Sequence, residues 1–378
     1  MFYRSVMFLI SFAVIILALS CGQVLAQENI SPKEEMLKAK VVEITDEGEK
    51  NIEGLENYSN IFQTVKVEIL EGEDIGEQIV LEHGGLLAIN QSQKVHKGQT
   101  VVLVKITQED GNSQYQIIDK YRINELIYIA LVFLILVLVL SRWKGVGSFL
   151  GMLISLLVII KFIVPQILNG NDPFTISIAG SVFILITTIY LAHGFSRQTS
   201  VAVASTTLTL ILTGILSVIF ADLTNLTGLA SDDAYSLQFG DTSSINFKGL
   251  LLGGMIIGFL GVLDDVTTGM AATVFELKKV NRELKFAQLV RSSLNVGREH
   301  ISSLVNTLVL AYAGVSLPLF IFIVLNPQNH PMWFVINSEF IAEEIVRTLV
   351  GSIGLLCAVP ISAVIASWVV TSRKFSGR

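Results

Sequence analysis

Seven apolar runs, at 126–141, 145–165, 174–192, 199–220, 249–272, 304–325 and 346–370, constrain this chain more than any other feature. Each is close to the roughly 20 residues that a helix needs to cross the hydrocarbon core of a bilayer. Composition agrees, since 52% of the 378 residues are hydrophobic and 15% charged. A mean hydropathy of +0.64 is too apolar for a soluble chain with one ordinary core. The expected fold is therefore mostly α: a polytopic helical membrane bundle of about seven spans over residues 125–378, with the lipid bilayer as its first partner.

What precedes the runs has another character. Arg4 followed by apolar Val6 to Leu19 has the charged and hydrophobic regions of a signal sequence, and Val24-Leu25-Ala26 offers a cleavage site before Gln27. Cleavage there, retention as a signal anchor and lipidation of Cys21 all stay open, and residues 1–26 are assigned to the leader. Residues 27–124 are expected to form an exported β domain. LKAKVVEIT, TVKVEILEG, GEQIVLEHG, TVVLVKITQ and QYQIIDKY alternate or run β-branched, with turn residues between them such as Asp110-Gly111-Asn112. A small barrel of the OB kind accounts for five strands in this length, as do other small β folds. The acidic balance of this segment excludes nucleic acid as a partner. His83 and His96 read as isolated, solvated loop histidines.

Orientation follows from charge. Twelve Lys and Arg residues, from Arg142 and Lys144 through Lys278 to Arg298 and Arg378, fall in connections on one side, and Lys248 stands alone in those on the other. With seven crossings, the positive-inside rule puts the C-terminus in the cytoplasm and the β domain outside. The connection 276–303 alternates basic and apolar residues, with Leu277, Leu284, Leu289 and Leu294 on one side, as expected of a helix lying on the inner leaflet.

Ionisable groups inside a span are costly and mark function by default. Asp264 and Asp265 are the outstanding pair, about 23 Å along the helix that enters near Gly249. Gly254, Gly258, Gly261, Thr268 and Ala272 extend a small, polar face that is expected to pack against neighbours with the carboxylates turned inward. Asn306 on the next span joins Thr268 as a polar companion, and two adjacent carboxylates in low dielectric are expected to share one proton. Capping or pairing at the inner surface is the alternative reading. Near the outer surface Ser338 reads as an N-cap, and Glu343 with Arg347, four apart, as an ion pair. Lys161 and His193 sit near helix ends. The two cysteines form no metal spacing with histidine, no P-loop or nucleophile elbow occurs, and neither a cofactor nor an enzymatic reaction is expected. The metal question stays open.

Four segments together, HGFSRQTS from 193, GGMIIGFLGVLDDVTTGMAATVFEL from 253, SSLVNTLVLAYAGVSLPL from 302 and EFIAEEIVRTLVGSIGLLCAVPISAVIAS from 339, resemble the YibE/F-like bacterial membrane proteins. The resemblance covers residues from about 125 onward. It implies a bacterial plasma membrane and a permease-like body, and supplies neither a substrate nor a catalytic residue. Its first motif typically carries one Asp where this chain has two. The expected function is an ion-coupled carrier or permease for a small solute or ion. The alternative is a scaffold presenting its exported domain to an envelope partner, with homo-oligomerisation open in both.

Overall fold

A computed structural model describes residues 33–51, 59–84, 88–107, 113–239, 245–325 and 329–372. The leader with Cys21, the turn at 110–112 and the basic residues from Arg373 on lie outside the described residues. The chain divides into two units, one reaching to Leu136 and the other running from Val137.

In the first unit, period-2 alternation makes a sheet. Strands β1 (Lys33–Asn51), β2 (Ser59–Ile69), β3 (Gln78–His83), β4 (Thr100–Thr107) and β5 (Ser113–Lys120) pair antiparallel in the order β3-β2-β1-β4-β5. Leu37, Ala39 and Val41 of β1 face Val65, Val67, Val101 and Leu103 across a common core, while Lys38 and Lys40 alternate away. β1 serves two partners because register shifts at Val41/Glu43 and Ile44/Asp46 bend it between its β4-paired and β2-paired halves. The result is a curled half-barrel. Of the small β folds open to five strands, a closed barrel of the OB kind is not formed among the described residues, because β3 and β5 do not pair and remain the two edges of the sheet. His83 departs from expectation. It ends β3, is 8% exposed and bonds through Nε2 to the Gln93 carbonyl at 3.2 Å, whereas His96 is exposed in a loop.

One ionic cluster ties a surface turn to this sheet. Lys105 on β4 bonds to Asp74, and the Tyr115 hydroxyl donates to the same carboxylate oxygen at 3.0 Å. Lys105 first and Tyr115 second hold the Asp74 carboxyl below its ordinary value. Its contribution to stability is therefore full above the unfolded carboxylate's titration, near pH 3.9, and is lost as pH falls through the lower folded-state value. Hydrogen exchange of residues 70–77, corrected for intrinsic rates, should accelerate on acidification in the native chain. The acceleration should be absent in Asp74→Asn.

From Ile123 onward, beginning in the last residues of the first unit, apolar runs become helices, because in hydrocarbon every backbone N–H and C=O must be satisfied within the segment. They are α1 (Ile123–Val158), α2 (Val164–Leu168), α3 (Pro173–His193), α4 (Arg197–Leu223), α5 (Asp232–Gln238), α6 (Phe247–Val280), α7 (Phe286–Val315), α8 (Leu317–Leu325), α9 (Met332–Ile336) and α10 (Glu339–Thr371). A π-helical segment, Ile159–Ile163, joins α1 to α2. Among the described residues six stretches are long and apolar enough to cross a membrane: Ile123–Ser141, Gly145–Leu168, α3, α4, α6 and α10. The first two lie within and beyond α1, which does not run straight from Val137 to Gly145. A Cβ on Gly145 would sit 2.6 Å from the Val137 carbonyl oxygen, where a straight helix places residues eight apart about 12 Å from each other.

The seventh expected span, 304–325, is divided between α7 and α8 at Ser316, just before Pro318. It still traverses. At one end of the bundle Asn246 before α6 donates to Asp172 before α3 at 3.3 Å, and Lys248 pairs with Asp222. There too the Glu339 carboxylate at the start of α10 accepts from Thr227 and Gly228. At the other end Leu277, Leu284 and Leu289 pack with Val201, Ala366 and Val370. α6 and α10 thus run parallel, and the chain between them crosses back through α7 and α8. This corrects the expected surface helix: the leucine stripe of 276–303 packs into the bundle's basic end. Lys278 caps the turn there by donating to the carbonyls of Arg282 at 2.6 Å and Leu284 at 2.8 Å.

Candidate functional site: carboxylates within the helical unit

α6 packs through Met255, Ile256, Phe259, Leu263, Val266 and Met270, all buried. These large side chains supply most of the contact available to the helix, so they face inward. Gly254, Gly258, Gly261, Asp265 and Gly269 form the opposite, exposed stripe. The expected packing face is thus the open one. Close helix approach comes instead from Gly253, where a Cβ would stand 2.4 Å from the Ser177 hydroxyl of α3.

Asp264 lies at the edge of the packed face and is half-buried. Thr268, one turn on, donates to its carboxylate at 3.2 Å. Thr267 is fully buried; its hydroxyl meets Thr206 of α4 at 2.5 Å and reaches the Asp264 carbonyl at 3.2 Å. Asp265, about 100° around the helix, is exposed. The two acids therefore occupy different surroundings, and no direct hydrogen bond joins them among the described residues. Asn306 is exposed on α7 and is not brought to Asp264.

The sequence reading passed over the hydroxyls of α4. Ser205, Thr206, Thr209, Thr213 and Ser217 are all fully buried. Thr209, Thr213 and Ser217 each donate to the carbonyl four residues back, at 2.8 to 2.9 Å. That leaves their oxygen lone pairs free to accept. The spacing of four in STTLTLILTGILS was the available signal. Thr213 lies against Gly354 of α10. Two turns from that contact, Ser205 on α4 and Ser362 on antiparallel α10 come to one level, close to that of Thr206 and Thr267. Both serine hydroxyls are buried with no partner among the described residues. Asp264 thus sits beside a layer of buried hydroxyls drawn from three helices.

Towards the other end, Arg347 contacts Glu344 directly and stands 3.9 Å from Glu343, so the expected Glu343–Arg347 pairing is the looser of the two. Glu343 is 8% exposed, and its Oε1 has no partner among the described residues. Ser338 occupies the N-cap position of α10, yet its hydroxyl donates to the Val335 carbonyl at 2.8 Å and does not cap the helix. Lys161 is exposed in the π-helical segment, and His193 is exposed in the last turn of α3. At the basic end a cleft of about 920 Å³ opens between α6, α7 and α10, lined by Gln198, Lys279, Arg282, Lys285 and Thr371 among others. No group of three or more His, Cys, Asp or Glu side chains that could hold a metal occurs among the described residues.

A family model described as YibE/F-like protein matches residues 129–372, which takes in every helix that carries these groups. The chain belongs to the YibE/F-like family. No curated protein and no solved structure matches it. The matched region covers the helices from within α1 to the end of α10, and the half-barrel lies outside it.

Proposed function

We propose that this YibE/F-like protein is an ion-coupled carrier whose coupling group is Asp264. The observation that carries the reading is a half-buried carboxylate in the interior of a spanning helix, set beside hydroxyls from α4, α6 and α10. A carboxylate in hydrocarbon is strongly disfavoured unless it binds a proton or a cation, and a carrier uses that dependence to couple solute movement to an ion gradient. The hydroxyls suit the same purpose, since each has lone pairs to offer a proton, a cation or its waters. Asp264 lies about 26 Å along α6 from Phe247, close to the middle of that helix, and Thr206 about 14 Å along α4 from Arg197, on the side of the basic end.

In this reading the basic end is cytoplasmic, in keeping with the charge asymmetry of the connections. The half-barrel is then outside, where it meets solute or an envelope partner. Reporter fusions at residues 110, 235, 290 and 378 test the orientation, and activity of an external reporter at 290 would contradict it. A deletion strain compared with its parent for uptake across metals, amino acids and drugs tests transport. Loss of uptake of one solute class, restored by the full chain, is expected. No difference in any class, together with capture of a partner by the half-barrel, would favour a scaffold.

A further inference from the structure

Asn306 and Asp265 pose one problem together: both are exposed polar groups near the middle of the bundle's span. A Cβ on Gly297 of α7 would lie 2.5 Å from Val359 and 3.1 Å from Met270, which fixes the levels of α7, α6 and α10 there. Because α7 runs antiparallel to α6, Asn306, nine residues on, stands level with Gly261. The Thr206–Thr267 contact in turn sets Gly261 level with Leu212, close to the centre of α4. Asp265 is one turn away. At this depth lipid offers neither a donor to a carboxylate nor an acceptor to an amide.

We propose that the open face of α6 and the outer face of α7 join the same faces of a second copy of this chain, with Asp265 of each copy accepting a hydrogen bond from the Asn306 amide of the other. Three observations select this occupant. The face holds both halves of the bond at neighbouring levels, so a two-fold axis along the membrane normal makes it self-complementary and forms the bond twice. The backbone is open to close approach among the described residues, because a Cβ on Gly254, Gly261 or Gly269 would meet nothing within 4 Å and one on Gly258 would meet only the Tyr312 hydroxyl of α7, at 3.6 Å. The first span of the same chain cannot substitute, because residues 129–140 carry no hydrogen-bonding side chain. Two smaller groups support the surface: Ser303 and Thr307 are exposed on the same side of α7 as Asn306.

The test uses the full chain in native membranes with Cys21 and Cys357 replaced by Ser and single cysteines placed at Gly254, Gly261 or Gly269. Leu349→Cys, exposed on α10 at similar depth, is the control. Oxidation should give a species of twice the chain mass from at least one glycine position, at least fivefold above the control. Asn306→Leu should lower that yield several-fold, and Asn306→Gln should restore it. Cross-linking no greater than at Leu349, a product of a different mass, or a yield that Asn306→Leu leaves unchanged would overturn the proposal.

Discussion

Asp264→Asn is expected to leave the amount of protein in the membrane unchanged and to reduce solute uptake about tenfold or more. The amide keeps the size of the side chain and can still accept from Thr268, so packing is preserved. What it loses is charge. A hydrogen bond to an ionised group contributes about 1.5–3 kcal/mol, and 1.4 kcal/mol corresponds to about a factor of ten. The neighbouring substitution Asp265→Asn should behave differently, because that side chain points out of the bundle: uptake should persist while cross-linking between copies weakens. Thr268→Val, which removes one donor and keeps the carboxylate, should fall between the native chain and Asp264→Asn. Uptake by cells carrying each variant, normalised to membrane levels, decides among these. Equal uptake by Asp264→Asn and the native chain would leave Asp264 with only a structural part.

Gly354→Leu should abolish the folded bundle. A Cβ at 354 would stand 2.4 Å from the Thr213 hydroxyl and 2.9 Å from its methyl, and a leucine adds three carbons beyond that point. Thr213 cannot turn aside, because its hydroxyl is bonded to the Thr209 carbonyl and β-branching restricts χ1. Overpacking of a dense interior costs about 1–3 kcal/mol where neighbours can shift. Here relief requires separating α4 from α10, and with them the hydroxyl layer beside Asp264. Gly314→Leu is the matched control, since a Cβ there meets nothing within 4 Å among the described residues. Membrane yield and thermal stability in detergent should collapse for the first variant and stay near native for the second.

The strands were legible because one face of the sheet is packed and the other is not: Leu37, Ala39 and Val41 alternate with Lys38 and Lys40, and that period survives in the structure. The length of β1 was not legible, since its bulges let one strand serve two partners and break the alternation on which the reading relied. The spans were legible from apolar length alone. Their facing was not. A helix that is apolar all round gives no stripe from which to choose a face. The face from Gly254 through Gly258 and Gly261 to Ala272 therefore read as a contact surface, although Phe259 and Leu263 opposite it had more area to bury. The same limit hid the α4 hydroxyls, which look like tolerated polar residues in a span until Gly354 and Thr267 are seen against them. Asn306 was read as a companion of Asp264 because both lie on consecutive spans. The rotation of α7 that turns Leu304 and Leu308 inward carries Asn306 away.

The most direct measurement is electrogenic transport by the purified full chain in proteoliposomes, recorded on a solid-supported membrane as solutes of each class are applied with and without an imposed pH or cation gradient. A carrier coupled through Asp264 gives a gradient-dependent current with at least one class, and the current disappears in Asp264→Asn while Asp265→Asn retains it. A current of the same size in Asp264→Asn, or no current from the native chain with any class, would contradict the account.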